Sequence, residues 1–294
     1  PLKGSCVVVH AKEVVSMSES PSVALRKKKD SSLAVTLELV KKGEADAAIS
    51  AGNSGAMMAF SMFAMKRLPY VDRPAIVTVM PNTKSATVLL DAGANVEVKA
   101  SHLVQFAVMG SVYSSTILNV QNPRIGLLSN GEEEEKGNEL TREAHELLKQ
   151  TGLNYIGYVE GRDIFNGNAD VVVCDGFVGN IVLKVAEGVA GAITKILKEE
   201  VNRSIISKMG FLFAMPALKG LKKKIDYEEY GGAPLLGVDG ISIICHGSSS
   251  AYAIKNAIRY AMECVDKKLN TVLKVEMERN KDISLNKTLK EEQQ

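Results

Sequence analysis

Short apolar, β-branched runs alternate with longer helical patterns along nearly the whole chain, and this restricts the fold more than any other feature. SCVVVHA, DAAIS, AIVTVM, ATVLLD, RIGLLS, YIGYVE, ADVVVCD and GISIIC are all strand-sized. Several are separated by helical stretches such as SSLAVTLELVKKGEA, GAMMAFSMFAMKRL, SHLVQFAVMGSVYSS, LTREAHELLKQ and GNIVLKVAEGVAGAITKILKEEV. In the first of these, Leu33, Leu37 and Val40 share a face, and Ser31 or Ser32 supplies the N-cap. The pattern predicts an α/β fold, a mostly parallel sheet wrapped by helices on both faces. Residues 1–270 are expected to form one large α/β domain, or two intimate lobes, with a polar, frayed tail over 271–294.

The bulk numbers exclude several classes. The 36 Lys+Arg nearly balance the 34 Asp+Glu, for a net charge of +2, so charge gives no sign of a nucleic-acid binder. The four cysteines (Cys6, Cys174, Cys245, Cys264) form no C-x-x-C pair, which argues against a zinc site or a secreted disulfide scaffold. No signal-peptide pattern is read, nor an apolar run near the ~18 residues of a membrane span. A cytoplasmic protein with reduced thiols is expected.

Strand ends carry small, flexible, polar turns again and again. AGNSGA (51–56), LLDAGAN (89–95) and CDGFVGN (174–180) follow strands, EYGGAPLLG (229–237) precedes one, and CHGSSSA (245–251) follows the last. Ligands of such sheets sit at the carboxyl ends of strands. Glycines let the backbone approach a ligand, and helix N-termini offer free N–H groups to an anion. Five such turns pointing one way make an anion cradle, although each alone is also ordinary βα-turn chemistry. There is no P-loop, G-x-G-x-x-G, H-E-x-x-H or G-x-S-x-G pattern. His145 reads as a surface residue, His246 as a site candidate or a plain junction residue, and Cys174, after Val171–Val173, as a small buried hydrophobe. Glu132–Glu135 read as a solvated run rather than metal ligands, and no metal site is expected. Asp91 and Asp175 each end a strand and either position a ligand or cap the next turn.

Residues 204–227 (SIISKMGFLFAMPALKGLKKKIDY) hold an apolar run flanked by lysines. Such a segment suits the interface of an anionic membrane, with Phe211, Leu212, Phe213 and Met215 in contact; the alternative is a helix pair packed on a second subunit or on its own core.

ISAGNSGA, DRPAI, LLDAGANVE, QFAVMGSVY, EKGNELT, DGFVGN, EYGGAPLLG and HGSS stand in this order across nearly the whole chain. Together they resemble the bacterial phosphate acyltransferase family of phospholipid synthesis (the PlsX family). The resemblance implies formation of acyl phosphate from acyl–acyl carrier protein and inorganic phosphate. It also implies a three-layer α/β/α sandwich like isocitrate dehydrogenase and phosphate acetyltransferase, a homodimer, peripheral membrane contact, and no metal or organic cofactor. The family opens with a strand and a D-A-M-G-G-D type loop, so the sheet is expected to lack one strand. Carried onto this sequence, Lys136 holds phosphate or the oxyanion, with Asn138 and Asn180 as donors. Gly52, Asn53, Ser54 and Gly55 cradle phosphate or thioester oxygen; Asn95, His246 and Ser248 complete the wall, with Asp175, Gly179 and Gly247 in the same motifs. Arg26 and Lys27–Lys29 are candidates to receive the acidic carrier. Met57, Met58, Phe60, Met62 and Phe63 line either an acyl channel or, on their helical spacing, ordinary core. Rival readings are a short-chain, coenzyme A-dependent phosphate acyltransferase, an inactive membrane-recruited scaffold, and a nicotinamide-dependent dehydrogenase, whose metal-binding aspartates are not found.

Overall fold

The structure is a computed structural model that describes residues 6–225 and 229–282. Its strands are β1 (Ala47–Ser50), β2 (Ala75–Pro81), β3 (Ala86–Leu90), β4 (Ile125–Leu128), β5 (Tyr155–Val159), β6 (Val171–Val173), β7 (Ala233–Leu236) and β8 (Ile241–Ile244). They form one sheet in the order β1-β8-β7-β2-β3-β6-β4-β5. Four of the seven pairings are parallel and three, β8–β7, β7–β2 and β2–β3, are antiparallel. The strands therefore run in two senses: β1, β8 and β2 one way, β7, β3, β6, β4 and β5 the other.

Period-two side-chain alternation puts apolar residues on both faces of the strands. Val88, Leu90, Val171 and Val173 join one core, which lies under α4 (Ala100–Thr116), α5 (Glu139–Leu148), α9 (Ala251–Asp266) and α10 (Leu269–Arg279). On the opposite face, Ala48, Leu235 and Ile244 pack with α1 (Pro21–Lys27), α2 (Ser32–Lys41) and α3 (Ser54–Met65). Leu89 and Val172, on that same face, pack with α6 (Asp163–Asn166) and the first turns of α7 (Gly176–Asn202). The result is the expected α/β/α sandwich. Ser31 caps α2 by accepting from the Ala34 N–H, and Leu33 and Leu37 are buried below it.

Some local expectations give way. SCVVVHA is no strand: from Cys6 onward it pairs with no strand, and Val8 is 94% exposed. APLL, inside the glycine-rich EYGGAPLLG, is a sheet strand that its turn-like surroundings concealed. Residues 271–279 are not frayed, because Leu273 and Met277 of α10 are buried in the α4 core despite the polar residues between them. Residues 283–294 lie outside the described residues.

The 204–225 stretch forms α8 (Ile205–Ile225), which packs on α7 as a helical hairpin; residues 226 and 227 lie outside the described residues. Beyond its first turns α7 is exposed nearly all round, and Ile193 and Phe213 are 60% and 84% exposed. By length and composition α7 is also apolar enough to cross a membrane, a feature the spaced glycines and lysines of its sequence concealed.

Candidate active site

A cavity of about 420 Å³ lies at the carboxyl ends of β4 and β6. After β4, Ser129 and Asn130 turn the chain outward, and Asn130 Oδ1 accepts from the Gly137 N–H at 2.9 Å, closing the glutamate loop on itself. Gly137 sits at φ +84°, a conformation that favours glycine. Next, Asn138 caps α5 reciprocally: its Oδ1 accepts from Thr141 N–H and its N–H donates to Thr141 Oγ1, both at 2.9 Å. After β6, Asp175 caps α7 by accepting from Val178 N–H at 2.9 Å. Two helix N-termini thus converge on one cavity, whose wall includes Ser129, Asn130, Gly137, Asn138, Thr141 and Asp175. That is a favourable seat for an anion.

Lys136 directly precedes this wall, with its stem across Gly131. Among the described residues its ammonium has no hydrogen-bond or ion-pair partner. Two of the four preceding glutamates are taken up elsewhere: Glu132 pairs with Arg162 at 3.1 Å and Glu134 with Lys149 at 3.5 Å. Asn138 Nδ2 and the Asn180 amide also lack partners among the described residues, and Asn180 stands beside Gly93.

Behind the α7 cap lies a residue whose role the sequence left open. Asp91 is fully buried, and its carboxylate accepts from five N–H donors: the backbone of Ile76, Gly93, Ala94 and Asn95, and Asn95 Nδ2. Burial pushes its carboxyl above the ordinary 3.8 against the pull of those donors. Asp91 holds the 91–95 turn, and the turn holds α7: Gly176 N–H donates to the Asn95 carbonyl at 2.7 Å, and Gly179 lies directly on the Asp91 carbonyl. A β-carbon at Gly179 would overlap that carbonyl. Cys174 is buried in the cavity wall and burial raises its thiol well above the ordinary range, as a small hydrophobe and not a nucleophile.

The other predicted residues form a separate group. Cys245 N–H donates to the Ser50 carbonyl, and Gly247 approaches the Ala51 carbonyl, which brings HGSS beside AGNSGA. There Gly52 N–H donates to Ser50 Oγ, Ser54 opens α3, Gly55 packs near Pro21, and His246 Nδ1 meets Ser248 Oγ at 2.6 Å. None of these residues lines the cavity at Asn138. The five turns do not point one way, because β1 and β8 run opposite to β3, β4 and β6. Two predicted ligands are also occupied structurally. The Asn53 amide donates to the carbonyls of Ser16, Met17 and Glu19 while capping α3, and the Asn95 amide donates to the Pro74 carbonyl and Asp91. His145, read as a surface residue, is buried: its Nδ1 meets Tyr155 Oη at 2.6 Å and its ring stacks on Tyr158.

A three-layer α/β/α sandwich of this kind is the fold of the phosphotransacetylases. A crystal structure of a phosphotransacetylase from Streptococcus pyogenes aligns with TM-score 0.56 at 20% identity over 83% of this chain and 70% of that one. The EutD phosphotransacetylase from Staphylococcus aureus aligns with TM-score 0.52 at 17% identity over 80% and 65%. Within that class the sequence is more specific. The Fatty acid synthesis protein family profile matches residues 2–272. The phosphate acyltransferase of Syntrophotalea carbinolica is 59% identical over 92% of this chain and 78% of its own length. That of Geobacter sulfurreducens is 58% identical over the same shares. The chain belongs to the phosphate acyltransferase family, and it is an enzyme.

Proposed function

We propose that this enzyme transfers a long-chain acyl group from acyl carrier protein to inorganic phosphate, giving acyl phosphate and free carrier for phospholipid synthesis. A phosphate oxygen attacks the thioester carbonyl, a tetrahedral oxyanion forms, and the carrier thiolate leaves with the electron pair of the C–S bond. Phosphate is itself the nucleophile, so the protein supplies position and charge rather than a serine or cysteine. The observation that carries this reading is the convergence of two helix N-termini beside the unpaired Lys136. Lys136 steadies the dianion or oxyanion, with Asn138 Nδ2 and Asn180 as neutral donors and Gly179 keeping the α7 terminus in place. Asp175 has its Oδ1 committed to the Val178 N–H, which limits its repulsion of phosphate.

The turns at Gly52–Gly55 and His246–Ser248 enter as the opposite wall of the cleft. Sheets twist by roughly 20–25° per strand pair, so the five steps from β8 to β4 turn the strand direction by about 100–125°. A rotation of that size would let carboxyl ends of oppositely running strands face a common cleft. The acidic carrier is received by basic surface; Arg26, Lys27 and Lys29 remain available for this, whereas Lys28 is bound to Glu19 at 2.7 Å. The exposed apolar faces of α7 and α8, with Leu212 and Phe213 exposed and Phe211 and Met215 half-buried along α8, join two subunits into a homodimer and touch the anionic inner surface of a cytoplasmic membrane.

The test mixes the protein with palmitoyl–acyl carrier protein and phosphate and traps acyl phosphate as its hydroxamate, with acetyl-coenzyme A in parallel. Phosphate-dependent hydroxamate from the long-chain carrier is the expected result. Product from acetyl-coenzyme A alone would replace this reading with the short-chain one.

A further inference from the structure

A second cavity, of about 730 Å³, opens where the β2–β3 turn, the end of α4, α6 and α9 meet. It shares no lining residue with the cavity at Asn138, and no step of acyl transfer uses it. The EYGG motif, unexplained by the phosphate cradle, contributes Glu229 and Tyr230 to its wall. Ile117, Leu118, Phe165 and the rings of Tyr230 and Tyr260 make an apolar lining.

Charge is concentrated at the polar part of the wall. Lys84 Nζ donates to the Gly167 carbonyl at 3.0 Å, and Arg259 Nη2 to the Glu229 carbonyl at 3.2 Å. Neither cation is ion-paired with a carboxylate among the described residues. Of the two acids in the wall, Glu263 is already bound to Lys267 at 2.8 Å. Lys84 and Arg259 therefore outweigh the remaining Glu229.

We propose that this cavity binds a single-chain amphipathic anion. Its alkyl chain lies along Ile117, Leu118 and Phe165, and its head group lies at Lys84 and Arg259. A cavity of this size, mainly apolar with a few convergent polar groups, has the form of a small-molecule site. A carboxylate head, as in a fatty acid, and a phosphate head, as in an acyl phosphate, share the required chemistry. The site goes beyond the acyl-transfer reading, since holding such an anion needs no turnover.

The probe is cis-parinaric acid, a fluorescent long-chain fatty acid, titrated into the full chain, then displaced by palmitate, hexadecyl phosphate or octanoate. Saturable enhancement is expected, displaced by both long-chain anions and poorly by octanoate; the better of the two competitors identifies the head group. Leu118→Trp, which fills the cavity, and the surface pair Lys84→Ala with Arg259→Ala should each weaken binding by roughly tenfold or more. Lys136→Ala should leave it unchanged. The double alanine variant decides the matter if Leu118→Trp does not fold. Absence of saturable binding, or equal affinity in the folded double variant, overturns the proposal. Acyl phosphate formation is assayed on the same preparations. Transfer without binding sinks this proposal alone, and binding without transfer sinks only the acyl-transfer reading.

Discussion

Lys136 and Gly179 each stand one residue from the wall of the same cavity, and the proposed mechanism uses them in different ways. In the proposed mechanism the ammonium of Lys136 acts on charge that develops during reaction, so its loss should fall on the chemical step. Lys136→Ala is expected to lower kcat about 100- to 1,000-fold, the usual cost of one oxyanion donor, with stability unchanged. Hydroxamate trapping checks the rate and a thermal melt the stability; unchanged turnover would remove Lys136 from the mechanism. Gly179 acts through space. Gly179→Ala forces the α7 terminus off the Asp91 carbonyl and should cost about 1–3 kcal/mol of stability. Urea unfolding measures that loss, and the KM for phosphate should rise with it. Turn chemistry is local, so the sequence shows a lysine before a capping asparagine and a glycine one turn into a helix, whereas the roles proposed for them come from the family resemblance. The second job of Asn53 and Asn95 was not legible. Their amides are satisfied by carbonyls from distant segments, such as Ser16–Glu19 and Pro74, that sequence spacing does not bring together.

At the scale of elements, α5 carries the Asn138 cap at the cavity at one end and a buried imidazole further along. Its apolar face predicts Ala144 and Leu148 as core, but the stripe is broader than the apolar letters, and His145 at its margin is enclosed by Tyr155 and Tyr158 of β5. Burial, aided by Lys149, pushes His145 below its ordinary 6.5, against Glu146 and Glu134. The folded state therefore binds this proton more weakly than the unfolded chain does. Its contribution is full above pH 6.5 and is lost as pH falls from there toward the folded value. His145→Gln should flatten the fall in Tm between about pH 7 and about pH 5.5 relative to the unsubstituted protein; parallel curves would refute the assignment. Strand identity was read well from apolar runs, but strand direction was not. A buried strand reads the same in either sense, and the antiparallel β2–β3 pair is joined by Asn82–Ser85, which lacks glycine.

For the whole molecule, the α7–α8 hairpin is the largest departure from a closed apolar core. Its exposed side chains on both helices leave apolar area uncovered, and such patches mark contact surfaces. Phe213→Glu should reduce cosedimentation with anionic vesicles at least severalfold while leaving phosphate-dependent acyl transfer in detergent-free solution unchanged. Ile193→Glu on α7 should shift the protein toward monomer in sedimentation velocity if the same hairpin joins subunits. The sequence marked α8 through its lysine-flanked apolar run. It also marked α7 as a helix but hid how apolar that helix is, because glycines and lysines are spaced among the apolar residues rather than placed at the ends.

The cysteines give the fold a built-in clock. Cys6 is exposed, whereas Cys174, Cys245 and Cys264 are buried, and burial pushes the Cys264 thiol up to about 12. A maleimide reagent should therefore add one label to the native protein at once and further labels only as the enclosing structure opens. Cys174 times the cavity wall and Cys264 the core beneath α4. If mass spectrometry finds Cys174 modified long before Cys264, the cavity wall breathes on its own; if the two keep pace, the wall moves only when the whole protein comes apart.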